Sequence, residues 1–92
     1  MRVLFLAAAL LVSGCGTYQA YEQRLDLWVG RSAAQLVSLW GKPYAVHMEK
    51  NGGRVIEYRT PVTVGLFCET RFTTSDKGFI EKWAYYGNDC RL

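Results

Sequence analysis

The sequence predicts an α+β fold, with two amino-terminal helices packed on a small antiparallel sheet of three to four strands. Three observations carry that prediction. Apolar residues recur at helical spacing in the first half of the chain, the spacing changes to alternation after Pro43, and clusters of turn-forming residues separate the alternating runs. With 92 residues, half of them apolar and 14% aromatic, the chain has room for one small core and excludes a multidomain enzyme. The excess of Lys and Arg over Asp and Glu, 11 against 8, is scattered and forms no basic cluster, so nucleic acid is not an expected partner.

The first helix is marked by Tyr21, Leu25 and Trp28 at i, i+4 and i+7, and is expected to end near Gly30. The second has a capping box at its start, since the Ser32 hydroxyl can accept from the backbone of Gln35 while the Gln35 side chain reaches back. Leu36 and Trp40 share a face with Leu39 beside them, Gly41 fits the position past the helix end, and Pro43 prevents continuation.

A first strand then alternates, with Tyr44, Val46 and Met48 on one side and Ala45, His47 and Glu49 on the other. Lys50-Asn51-Gly52-Gly53 is a hairpin turn, and the return strand is expected over Arg54–Thr60. Residues 61–65 break the pattern. A third strand follows over Leu66–Thr74, then a turn at Ser75-Asp76-Lys77-Gly78 and a fourth strand over Phe79–Tyr86.

The first residues have a different character. Met1 and Arg2 precede an unbroken apolar run from Val3 to Val12, followed by Ser13 and Gly14, which is the order of a secretory signal peptide; ten apolar residues fall short of the roughly 20 that span a bilayer. A buried amino-terminal helix is the alternative. Leu11-Val12-Ser13-Gly14-Cys15 resembles a bacterial lipobox, which implies cleavage before Cys15 and lipidation of its thiol and freed amine. With three acyl chains at roughly 0.8 kcal/mol per buried methylene, such an anchor is stable. The resemblance therefore implies residues 1–14 as signal peptide; residues 15–23 read as a lipidated tether and residues 24–92 as the folded domain. The resemblance, with Gly16 after the cysteine where inner-membrane lipoproteins often carry Asp, further implies the outer membrane, facing the periplasm.

Assigning Cys15 to lipid leaves Cys68 and Cys90, which an oxidising compartment would close into a disulfide; two buried free thiols are the alternative. No metal or other cofactor is expected, because the single His47 and two distant thiols lack ligand spacing. His47 has no nucleophile in an adjacent motif, and Glu57, Glu69 and Glu81 alternate with apolar residues as a solvated face would, so catalysis and a small-molecule substrate are not expected. Trp28, Trp40, Tyr58, Phe72 and Trp83 can fill the core. Tyr18, Tyr21, Tyr44, Tyr85 and Tyr86 remain for a surface patch or the rim of the core, with Tyr44, Tyr85 and Tyr86 the candidate partner-binding residues. Strand addition at an open sheet edge is a second mode of binding.

Several of these segments together resemble the SmpA/OmlA (BamE-like) family of small outer-membrane lipoproteins. They are Gly30-Arg31-Ser32, Gln35-Leu36, Leu39-Trp40-Gly41-Lys42-Pro43, the strand around Tyr58, Thr70-Arg71-Phe72-Thr73 and Gly78-Phe79-Ile80. The likeness spans roughly residues 28–86 together with the lipobox. It implies a two-layer helix-and-sheet lipoprotein that binds an envelope protein partner, such as the β-barrel assembly machinery, as a non-catalytic accessory module. A periplasmic inhibitor or immunity-type lipoprotein and a purely structural envelope lipoprotein are the alternatives.

Overall fold

The computed structural model describes residues 16–60 and 65–90; the stretch expected to be a signal peptide and Cys15 lie outside the described residues. The fold is α+β. Helix α1 spans Gly16–Asp26 and helix α2 spans Ala33–Trp40, followed by strands β1 (Ala45–Met48), β2 (Arg54–Arg59), β3 (Cys68–Thr74) and β4 (Ile80–Gly87). The strands form one antiparallel meander in the order β1-β2-β3-β4. Helix α1 begins inside the stretch expected to be a tether. The reason is Tyr21, which is buried and shares a 2.6 Å hydrogen bond with the Thr70 hydroxyl of β3, so this part of the chain is tied to the sheet.

The termini of α2 follow from local chemistry. Ser32 Oγ accepts from the Gln35 amide at 3.1 Å, which is one half of the expected capping box. Gly41 takes φ +87 and its amide returns to the Val37 carbonyl at 2.9 Å. The Tyr58 hydroxyl then donates to the Gly41 carbonyl at 2.8 Å, tying the helix end to β2.

Direct pairing places Val46, Ile56, Phe72 and Trp83 in one row and Tyr58, Thr70 and Tyr85 in the next, all on one face of the sheet. Tyr21, Leu25 and Trp28 of the α1 region and Leu36 of α2 join Ile56, Cys68, Phe72 and Ile80 in a single buried cluster. Trp40 meets Phe72 and Tyr58 edge to face at 5.3 and 5.2 Å. Leu39, expected beside this face, points to solvent, because an eight-residue helix has only one apolar side turned to the sheet. Trp40, Tyr58 and Trp83 are half-buried at the rim, whereas Trp28 and Phe72 are buried.

Both sheet edges begin from the same backbone need for partners, and the described residues meet it at one of them. Gly30 donates to the Ile80 carbonyl at 2.7 Å, Ile80 to Arg31 at 2.8 Å and Ala33 to Gly78 at 2.8 Å, so the segment before α2 covers the start of β4. Between Thr73 and Thr74 the register with β4 shifts, leaving Glu81 as the extra residue of a bulge. At β1, the opposite edge, no strand pairs with the outer side among the described residues.

Cys68 and Cys90 are joined in a disulfide, with Cα atoms 4.9 Å apart and both residues buried. The Phe67 carbonyl accepts from the amides of Asn88 and Asp89, which folds the segment after β4 back over the start of β3.

Candidate functional site

Among the described residues, the ion pairs gather on the face of the sheet turned away from the helices. Their origin is a short repeat. Glu57-Tyr58-Arg59 on β2 and Glu69-Thr70-Arg71 on β3 share the order acid, any residue, base. Run antiparallel, the two place Glu57 opposite Arg71 and Arg59 opposite Glu69. Arg59 Nε lies 3.2 Å from Glu57 Oε2 and 2.9 Å from Glu69 Oε1. Arg71 closes the ring, with Nε 3.5 Å from Glu57 Oε1 and Nη2 2.9 Å from Glu69 Oε2. The last contact is an ion pair whose alignment falls short of a hydrogen bond, leaving Glu69 Oε2 without one.

This arrangement corrects the expectation that Glu57 and Glu69 form a solvated face. Their side chains are only 4% and 1% exposed, whereas those of Arg59 and Arg71 are 42% and 51% exposed. The carboxylates are therefore buried at the sheet surface, while the arginines that pair with them remain half-exposed. Glu81 is exposed, as expected. His47, also exposed, reaches Glu57 Oε1 at 3.5 Å across the β1–β2 pair.

Aromatic residues border the ring on one side. The Arg59 guanidinium stacks 4.2 Å over the Tyr44 ring. Tyr86, opposite Glu69 on β4, points its hydroxyl at Glu69 Oε1 from 3.4 Å and packs edge to face on Phe67 at 5.6 Å. Tyr44, Leu66, Phe67 and Tyr86 are all exposed. Arg59, Leu66, Phe67 and Tyr86 line a shallow pocket of about 290 Å³ at this end of the sheet.

The three candidate tyrosines therefore divide. Tyr44, expected on the same side as Val46 and Met48, precedes β1 and so escapes the alternation of the strand, meeting Arg59 at the ring instead; Tyr86 flanks the ring too, but Tyr85 lies on the helix side, because consecutive strand residues point to opposite faces. The Tyr85 ring packs edge to face on Tyr21 at 5.4 Å, and its hydroxyl donates to Glu22 Oε2 at 2.8 Å. That hydrogen bond, with partial burial and the Glu22 charge, pushes the Tyr85 phenol up to about 12. Tyr21, which the sequence leaves open between a surface patch and the rim of the core, is buried.

Among the described residues, no group of three or more His, Cys, Asp or Glu is arranged to hold a metal ion, and no helix is long and apolar enough to cross a membrane. The ring was legible only through the paired acid-x-base repeats, which alternation by itself does not single out. The chain matches no family model, no curated protein sequence and no solved structure at a significant level.

Proposed function

We propose that this chain is a lipoprotein anchored through Cys15 in the outer membrane, facing the periplasm, where it acts as a non-catalytic protein-binding accessory module of envelope assembly. The observation that carries the binding role is the exposed border of Tyr44, Arg59, Phe67 and Tyr86 on the helix-free face. Tyr and Arg are the residue types that dominate binding energy at interfaces, and here each is held in place by the sheet or by a neighbour before any partner arrives.

The non-catalytic reading is supported by the state of the acidic groups. All four carboxylate oxygens of Glu57 and Glu69 already face guanidinium groups, so neither acid is directed at a substrate. The anchor rests on the lipobox-like sequence, and the two-layer SmpA/OmlA-type arrangement on the resemblance, with the buried cluster of helix and sheet residues in its favour.

Cross-linking of the native lipidated protein in intact envelopes, followed by mass spectrometry, tests this reading. Stoichiometric recovery of membrane-assembly subunits, reduced in Tyr44→Ala and Tyr86→Ala variants, is the expected result. Recovery of a soluble periplasmic hydrolase would turn the assignment to an inhibitor, and no partner at all would leave a structural lipoprotein. Normal lipid incorporation in Cys15→Ala would refute the anchor.

A further inference from the structure

The uncovered edge of the sheet differs from the covered one in more than pairing. Helix α2 is short and stops before it shields β1, so Val46 and Met48, on the helix side of that strand, remain 47% and 66% exposed. Beside them opens a cleft of about 670 Å³ whose apolar floor includes Val37, Pro43, Val46 and Ile56. Arg54 and Lys77 also line it, and neither has an ion-pair partner among the described residues; Asp76 is the one acid of the lining. Lys42 and Lys50 bracket β1 in sequence, against Glu49 alone.

We infer that β1 is a docking edge for an extended acidic segment of a partner protein, which adds as a fifth strand and places alternate apolar side chains in the cleft. Backbone bonds to the open edge supply affinity without regard to sequence. The cleft reads every second residue, because side chains of an added strand alternate between faces. The unpaired cations choose the sign of the flanking charge. They also disfavour a second copy of this chain, which would bring Arg54, Lys77 and the bracketing lysines toward their own kind.

This edge is a surface separate from the aromatic border of the helix-free face, and the inference deepens the protein-binding reading by naming a second contact and its chemistry. The test uses the full native chain, isotope-labelled and held in detergent. The probe is a short synthetic peptide of alternating valine and threonine with aspartates at both ends, compared with the same core carrying lysines.

The expected result is amide shifts and slowed hydrogen exchange at Ala45–Met48 with the acidic peptide, and weaker binding of the basic one. Val46→Lys should weaken binding by about tenfold or more, the equivalent of one buried Val side chain, while Val46→Thr retains it. Paired charge reversal, Arg54→Glu with Lys77→Glu, should switch the preference to the lysine-flanked peptide.

Equal affinity for both peptides would overturn the inference, as would shifts confined to the helix-free face or dimerisation through β1 in sedimentation. Recovery of an envelope partner with β1 unperturbed would overturn the edge alone and leave the protein-binding reading standing.

Discussion

Removing Arg71 should cost more than removing either acid it holds, and the difference measures how far the ring behaves as a buried network. In Arg71→Met, Glu69 Oε2 loses its guanidinium partner and Glu57 Oε1 keeps only His47, while the Glu57 and Glu69 side chains remain 4% and 1% exposed. Breaking a buried pair by removing one partner costs about 3–5 kcal/mol, and the half-exposed position of Arg71 argues for the lower end, about 3 kcal/mol. For a domain of this size that is a fall in Tm of roughly 12–24 °C. Glu69→Gln instead leaves two guanidinium groups that already reach water, so its cost should be about 1 kcal/mol. The double variant Arg71→Met with Glu69→Gln removes one orphaned charge and should be more stable than Arg71→Met alone. Urea unfolding of the four proteins at neutral pH, followed by tryptophan fluorescence, completes the cycle. A cost below about 1 kcal/mol for Arg71→Met, or a double variant no better than the single, would show that the ring is an ordinary screened surface pair and refute the reasoning.

Three further outcomes follow from other parts of the fold. Cys68→Ser should destabilise by about 3.4 kcal/mol, the chain-entropy estimate for a sequence separation of 22, and unchanged unfolding on adding reductant to the native protein would count against it. The Tyr85 phenol, raised from 10.0 to about 12 by its Glu22 hydrogen bond, holds its proton more tightly in the folded state. Its contribution is therefore fully present below pH 10 and lost as pH rises from 10 towards 12; ultraviolet titration should show that late tyrosine, moved earlier by Glu22→Gln. Gly53→Ala should destabilise measurably, because a Cβ there would collide with the Thr74 carbonyl; unaltered thermal unfolding would show that the two strands part without cost.

Elements whose signals are local could be read from the sequence, and features that depend on partner strands could not. The Ser32 cap, the Gly41 exit and the turns around Gly52 and Gly78 each depend on a few neighbouring residues, and all four are present. The stretch expected as a tether instead holds the start of α1, because Tyr21 is tied to Thr70, a residue of β3 that its own neighbours in sequence do not reveal. Alternation assigns Glu57 and Glu69 correctly to the face opposite Ile56 and Phe72, but equating that face with solvent overlooks the arginines of the adjoining strand. Tyr85 and Tyr86 show the same limit at a single step: adjacent in sequence, they lie on opposite faces, and only one is exposed.

The ring also bears on how the helix-free face could recognise a partner. An open sheet face needs residues that tolerate water yet fix strand register, and a closed set of two acids and two bases does both, since a one-residue slip of either strand would carry its acid and its base to the other face and break the ring. Its charges cancel, so it attracts no partner over distance. Recognition there must come from contact with Tyr44, Phe67 and Tyr86, whose fit is short-ranged and largely insensitive to salt. Binding at the β1 edge, bordered by unpaired cations, should instead weaken as ionic strength rises. Salt dependence thus separates the two surfaces without mutation: a partner held by the aromatic border stays bound in high salt, and one held at the β1 edge is released.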